Sequence, residues 1–210
     1  MKCSDELVEV DRSLEIYGSK VVKKLTYQGD PKKVAQILSA VSSKFMSLPQ
    51  AMELTPITAL IVKPTHLIVE QRKLPSRPEF DRSAFDRFVE RVVRSNDCGW
   101  VFGDLNAKNV MFDGQDYRVI DFEPFTKIYR LGRAEFRVTH PYFHPVDRAN
   151  GIVTCFTDRL GIIGLLLRLR FGFRRQREIF TVHAPDLHWI ASLVGGQFLT
   201  ELAMIEDRYL

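Results

Sequence analysis

A predicted β-hairpin in the middle of this chain of 210 residues constrains its fold more than any other feature. Two short apolar runs, at residues 110–112 and 117–120, lie on either side of Asp113-Gly114. Asp-Gly between runs rich in β-branched and aromatic residues is a strong signal for a tight hairpin. Such a hairpin brings Asn109, before its first strand, close to Asp121, after its second strand. The pattern therefore predicts that an amide and a carboxylate meet at the open end of the hairpin.

The first third of the chain shows strand and helix patterns in alternation. Residues 13–28 alternate enough for one or two strands. Apolar residues then recur at helical spacing from Pro31 to Phe45, and Asp30 is placed to cap that helix. Two further strands are predicted at residues 59–62 and 67–71. This segment is therefore expected to contain strands, one helix and two more strands, in that order.

One helix is predicted before the hairpin and one after it. The first follows Pro78, carries an apolar face and ends near Asn96. The second begins at Thr157 and is apolar nearly all round, which is typical of a helix at the centre of a core.

The spacing of Asp104, Asn109 and Asp121 resembles that of the protein kinase family. In that family an Asp accepts the proton of the attacking hydroxyl, an Asn five residues later binds Mg²⁺, and an Asp ahead of Phe-Gly holds the metal ions. The resemblance implies that Asp104 is the catalytic base. It also implies that Asn109 and Asp121 bind Mg²⁺ and, through it, ATP.

Upstream segments resemble the same family in the same order. Residues 20–25 look like the strand that supplies a lysine to the nucleotide's phosphates, which implies that role for Lys23. Residues 67–72 are similar to the strand and hinge that hold adenine through backbone groups. The backbone of Glu70 and Arg72 is therefore expected to bind adenine.

Downstream, residues 139–145 look like the end of an activation segment. The helix from Thr157 resembles the buried helix whose first Asp anchors the catalytic loop, which implies that role for Asp158. The agreement in order and spacing extends over residues 18–170.

Several site positions depart from the family pattern. Asn106 stands where Ser/Thr kinases place a lysine that helps to hold the transferred phosphate, and Lys108 is the neighbouring lysine that could take over that role. Glu123 replaces the Gly after Asp121-Phe122 and adds a carboxylate that could bind a second metal ion. Asp-Phe-Glu and Gly-Asp-Leu-Asn are similar to the choline and aminoglycoside kinase branch.

The region around Lys23 departs further from the pattern. Residues 3–10 contain no glycine, so no glycine-rich loop precedes this lysine. The helix from Pro31 has no Glu to pair with Lys23, for which Gln36 and Glu53 are the substitutes considered.

The fold expected from the resemblance is α+β, a two-lobed protein kinase-like fold with a reduced N-lobe sheet and a truncated helical C-lobe. Residues 1–73 would form the N-lobe of strands and one helix. Residues 74–210 would form the C-lobe, with catalytic loop, activation segment and central helix. Such a minimal form resembles the short kinases that bacteria inject into host cells and some viral kinases.

Composition restricts the class of protein and of partner. A net charge of +4 is too mild to indicate nucleic acid. Three cysteines favour a reducing compartment. No apolar run is long enough for a membrane span, so a cytoplasmic location is expected, in the host cell if the chain is an effector. Five arginines lie within residues 168–177, where they either form a solvated helix end or bind an acidic partner.

These observations predict an ATP- and Mg²⁺-dependent kinase that phosphorylates Ser or Thr of a protein. That protein would be a host protein if the chain is an effector. Two alternatives stay open. A small-molecule kinase is favoured by Asn106 and Glu123. A pseudokinase that acts as a binding module is favoured by the missing glycine loop and the missing helix Glu.

Overall fold

The structure is a computed structural model that describes residues 7–74, 80–122, 125–126, 128–130 and 151–171. Within these ranges the chain is a mixed α+β protein with a small antiparallel sheet, which confirms the predicted class.

The N-terminal strands form one antiparallel sheet in the order β1-β2-β4-β3. These strands are β1 (Val8–Tyr17), β2 (Lys20–Gln28), β3 (Ile57–Lys63) and β4 (His66–Arg72). Alternate residues of β2 and β4 are buried, because one face of the sheet packs on the core. The edge strand β1 begins at Val8 rather than at residue 13.

Helix α1 (Pro31–Met46) confirms the first predicted helix. The side chain of Asp30 caps it by accepting hydrogen bonds from the backbone N–H groups of Lys32 and Lys33. The buried face of α1 carries the predicted apolar residues, namely Val34, Leu38, Val41 and Phe45. A short helix, α2 (Pro49–Glu53), follows and was not predicted.

Helix α3 (Arg82–Asp97) confirms the second predicted helix. It is capped by Asp81, whose side chain accepts a hydrogen bond from the N–H of Ala84. The hydroxyl of Tyr117 accepts a hydrogen bond from the N–H of Asp81, so the start of α3 is joined to the hairpin.

The predicted hairpin is present as strands β6 (Val110–Phe112) and β7 (Tyr117–Val119). Beyond the ladder, the N–H of Ile120 donates to the carbonyl oxygen of Asn109 at 2.7 Å. The residue before Asp121 is thereby held against Asn109, as the hairpin pattern predicts.

Two short strand pairs and one long helix complete the described part. β5 (Trp100–Val101) pairs with β8 (Phe125–Thr126), and β9 (Ile128–Arg130) pairs with β10 (Ile152–Thr154). The chain then enters α4 (Cys155–Phe171).

Helix α4 is buried over most of its length and packs directly on the loop that follows β5. A Cβ atom at Gly161 would lie 2.9 Å from both the Cβ and the carbonyl oxygen of Leu105. Gly161 therefore permits an approach of helix and loop that a larger residue would prevent.

An aromatic cluster joins the N-terminal part to the rest of the core. The ring of Phe45 on α1 lies 4.9 Å from Trp100 and 4.8 Å from Phe122, and these two rings stack at 5.7 Å. The hydrophobic core is thus continuous across residue 73. The predicted division into two lobes at that residue stays a prediction.

Candidate active site

The loop that carries Asp104 is held by Asp158, in the first turn of α4. Oδ1 of Asp158 accepts the N–H of Gly103 at 2.7 Å. Oδ2 accepts the N–H of Phe102 at 2.9 Å and the side-chain amide of Asn96 at 2.8 Å. The predicted contact between Asp158 and this loop is therefore present.

Asp158 is fully buried, and its burial has an electrostatic cost. Burial raises the pKa of the Asp158 carboxyl to about 6, although its three hydrogen bonds and the nearby charge of Arg159 act in the opposite direction. At neutral pH the carboxylate is ionised, and it then accepts every hydrogen bond that the loop offers it.

Gly103 is required by the geometry of this anchor. Its φ angle of 80° lies in the left-handed region that L-residues with a side chain rarely adopt. The turn directs its N–H towards Asp158. A residue with a side chain would be strained at this position.

Two amide side chains surround the carboxylate of Asp104. The amide nitrogen of Asn106 donates to Oδ1 at 2.5 Å, and that of Asn109 donates to Oδ2 at 2.6 Å. A carboxylate can only accept hydrogen bonds, so Asn109 must turn its nitrogen towards Asp104. Its amide oxygen is then directed elsewhere, as a metal ligand would require.

Asn106 also stabilises the loop itself. Its side-chain oxygen accepts the N–H groups of Lys108 and Asn109, and its residue is buried. Both ends of this amide are therefore occupied within the loop. Its geometry favours a role in positioning Asp104 over direct contact with a transferred phosphate.

Lys23 on β2 contacts Asp121, which follows the hairpin. Its ammonium group lies 2.6 Å from Oδ1 of Asp121 and 2.7 Å from the carbonyl oxygen of Ile120. The side chain of Lys23 is only 7% exposed, whereas that of Asp121 is 23% exposed. The structure thus brings together two predicted site residues that are far apart in the sequence.

Arg12 on β1 is a site residue that sequence analysis missed. Its Nη1 lies 3.2 Å and 3.1 Å from the two carboxylate oxygens of Asp121. Its Nε and Nη2 donate to the carboxylate of Glu9 at 2.8 Å and 3.1 Å. Asp121 therefore has two cationic neighbours, one from each of the first two strands.

The sequence did contain a signal for Arg12. The tight turn at Gly18-Ser19 pairs Leu14 with Lys23 and Arg12 with Leu25. Residues directly opposite each other in an antiparallel pair share a face of the sheet. The turn thus places Arg12 and Lys23 on the same face.

Glu70 and Arg72 are predicted to bind adenine. Glu70 lies within β4, whereas Arg72 is its last residue. Glu70 lies between Val22 of β2 and Ala59 of β3, and its carbonyl oxygen accepts the hydroxyl of Thr58. This position inside the sheet does not favour a backbone contact with a base. Arg72 ends the strand, and its N–H donates to the carbonyl oxygen of Pro56. Adenine binding by either residue stays a prediction.

The two substitutes considered for the missing helix Glu do not pair with Lys23. Glu53 forms an ion pair with Arg91 at 3.2 Å, and Gln36 is exposed on α1. Glu53 lies on α2, where it faces α3. Asp121 itself is the carboxylate that pairs with Lys23.

The remaining predicted site residues are only partly described. Lys108 is exposed on the loop. Glu123 and the segment 139–145 lie outside the described residues, as do Arg174, Arg175 and Arg177 of the arginine cluster. In the described ranges no three His, Cys, Asp or Glu side chains group as metal ligands. There the predicted oxygen ligands are the carboxylate of Asp121 and the amide of Asn109.

Comparisons with known proteins leave the family open. The chain matches no protein-family model, and no curated protein matches it significantly. Among the helices of the described part, none has both the length and the apolar character needed to cross a bilayer.

Proposed function

We propose that this protein is an ATP- and Mg²⁺-dependent phosphotransferase with a minimal, two-lobed kinase-like fold, and that it phosphorylates a Ser or Thr hydroxyl of a protein. The observation that carries the proposal is that Asn109 links Asp104 to the segment of Asp121, because it donates to Asp104 and accepts the N–H of Ile120. Lys23 comes from β2, Asp121 follows the hairpin, and Asp104 lies on a loop anchored by buried Asp158.

The anchored loop supports Asp104 as the catalytic base. Its carboxylate is partly exposed and is oriented by the amides of Asn106 and Asn109. A base needs a fixed orientation so that it can accept the proton of a bound hydroxyl. Hydrogen bonds from neutral amides orient the carboxylate without neutralising its charge.

The oxygen donors near the hairpin suit a hard divalent cation. Mg²⁺ prefers carboxylate and amide oxygens, which Asp121 and Asn109 supply. When bound, Mg²⁺ would neutralise charge on the phosphates. Lys23 is placed to bind a phosphate oxygen beside Asp121, because its ammonium group is already held against that carboxylate.

An apolar surface beside Lys23 supports a nucleotide as the phosphate donor. Leu14 and Ile16 are 53% and 55% exposed, and they share the face of the sheet with Lys23. Exposed aliphatic side chains next to a buried cation suit a ligand with a flat apolar part and an anionic part. A purine nucleotide has both parts.

Isothermal titration calorimetry with Mg-ATP tests the metal and nucleotide assignments. We expect binding by the wild type that requires Mg²⁺ and that is strongly reduced in Asp121→Ala. Asp86→Ala is the matched control, since Asp86 is exposed on α3 and pairs only with Arg82 in the described hydrogen bonds. Undiminished binding by Asp121→Ala would contradict the metal assignment.

Transfer of labelled phosphate from ATP to proteins of a lysate tests the reaction. Asp104→Asn should lower turnover by about 10²–10⁴, the usual contribution of a general base. Nucleotide affinity and circular dichroism serve as controls, because the new amide would face the amides of Asn106 and Asn109. Equal turnover by both proteins would place the base elsewhere.

A second candidate is a kinase-like binding module without catalysis. The pairing of Arg12 with Asp121 favours it, because a metal ligand that is engaged by two cations is less available to Mg²⁺. Failure of the wild type to bind Mg-ATP, together with a stable fold, would favour this candidate. Phosphate transfer to any lysate protein, lost in Asp104→Asn, would exclude it.

A further inference from the structure

We propose that Arg12 is a phosphate-binding residue, which holds the Asp121 carboxylate while no nucleotide is bound and transfers to the nucleotide's phosphates when one binds. The inference rests on the proposed function and adds a residue to it. It assigns to a side chain of β1 the contact that a glycine-rich loop would otherwise make with its backbone amides.

The absence of glycine from β1 is the first step of the argument. Residues 8–17 form a strand of ten residues without a glycine, and it pairs with β2 on both sides of a bulge between Glu9 and Asp11. Backbone N–H groups in such a strand are directed along the sheet and cannot wrap around a phosphate. Any contact from this strand to an anion below the sheet must therefore come from a side chain.

The pairing register of β1 and β2 places Arg12 on the same face of the sheet as Lys23. Leu14 is directly opposite Lys23, and Arg12 lies two residues further along the same face. Its guanidinium group reaches both oxygens of Asp121, the carboxylate that Lys23 also contacts. Arg12 and Lys23 are thus two cations that converge on one anionic group.

Glu9 keeps this guanidinium group in place. Two nitrogens of Arg12 donate to the two carboxylate oxygens of Glu9, while Nη1 donates to Asp121. The side chain of Arg12 remains 35% exposed, so a ligand can approach it. Arg12 therefore stays over the site even when it no longer contacts Asp121.

The charges of the site favour an exchange of partners. Arg12 and a divalent cation compete for the same oxygens of Asp121, and metal binding there would expel the guanidinium group. Phosphate oxygens then become its nearest anions. The planar fork of an arginine matches two phosphate oxygens as well as it matches a carboxylate.

Calorimetry with ATP and with adenosine, both in the presence of Mg²⁺, separates a phosphate contact from a contact with the base. Arg12→Ala should weaken ATP binding by about 10- to 100-fold, the usual effect of a lost charged hydrogen bond. Adenosine affinity should not change. The control is Arg94→Ala, because Arg94 is exposed on α3 and pairs with Glu90. The ATP affinity of Arg12→Lys should lie between that of the wild type and that of Arg12→Ala.

Three results would overturn the inference. Equal ATP affinity of Arg12→Ala and the wild type would mean that Arg12 only forms a surface ion pair. Tighter ATP binding by Arg12→Ala would mean that Arg12 blocks the metal and contributes nothing to phosphate binding. A wild type that binds neither ATP nor adenosine would overturn both the inference and the proposed function, whereas the first two results leave that function intact.

Discussion

The loop around Asp104 and the strand pair β1–β2, which carries Arg12 and Lys23, are stabilised in different ways. The loop is fixed by hydrogen bonds to a fully buried carboxylate and by close packing of α4 on Leu105. The strand pair reaches the site through ion pairs of Arg12 and Lys23 with one partly exposed carboxylate.

This difference suggests that one region determines the stability of the fold and the other responds to ligands. Groups that are buried and fully hydrogen-bonded cannot change partners without a large cost, because a buried unpaired donor is expensive. The ion pair of Arg12 with Asp121 is partly exposed and costs little to break, because water screens its charges. We therefore expect the loop to determine the stability of the fold and the strand pair to respond to ligands.

Removal of the buried charge should have the largest effect on stability. In Asp158→Asn one of the two oxygens becomes an NH₂ group that faces a donor of the loop. At pH 7 we expect a loss of about 1–3 kcal/mol in the free energy of unfolding, the cost of a buried unsatisfied donor. Urea denaturation of this variant and of Asp97→Asn, an exposed control at the end of α3, would measure it.

The same variant should show a specific pH dependence. The pKa of Asp158 is raised to about 6, so this group stabilises the fold most below its unfolded pKa of 3.8, and that stabilisation is lost as pH rises to about 6. The stability difference between wild type and Asp158→Asn should therefore narrow by about 2–3 kcal/mol between pH 4 and pH 7. A difference that does not vary with pH would mean that Asp158 does not titrate in this range.

Gly161→Ala should have a smaller effect on the same part of the molecule. The added methyl would clash with the backbone and side chain of Leu105, which costs about 1–3 kcal/mol. Helix propensity returns up to about 1 kcal/mol. A net loss of about 1–2 kcal/mol in urea denaturation is expected. Unchanged stability would show that α4 can move away from the loop at little cost.

Arg12→Ala should have the smallest effect on stability. Its ion pairs with Glu9 and Asp121 are partly exposed, so their loss should cost less than about 1 kcal/mol in the free energy of unfolding. A loss comparable to that of Asp158→Asn would contradict the comparison, because Arg12 would then be part of the structural framework.

Elements with strong periodicity were predictable from the sequence. The apolar spacing of α1 and α3, the cap at Asp30 and the hairpin turn at Asp113-Gly114 each depend on neighbouring residues only, and all are present. Helix α2 has five residues, too few for a periodic pattern, and it escaped prediction. The outer strand β1 was predicted too short because an edge strand need not alternate strictly.

Contacts between distant segments were predictable only in part. The placement of Asn109 beside Asp121 depends on one hairpin, and the pairing of Asp158 with the loop was inferred by resemblance. The sequence offered Gln36 and Glu53 as partners for Lys23, but the carboxylate that pairs with it is that of Asp121. The carboxylate that reaches Lys23 comes from a segment 98 residues away along the chain.

The sequence by itself determined the local order of strands and helices, the hairpin and the residue types that can supply a base and metal ligands, because periodicity, turns and caps depend on near neighbours. Only the tertiary structure decided which charges meet. Asp121 receives both Lys23 and Arg12 because the register of β1 and β2 directs both cations to one face, and that face packs against the end of a distant hairpin. Distances between remote segments depend on how the whole core packs, which no local pattern specifies.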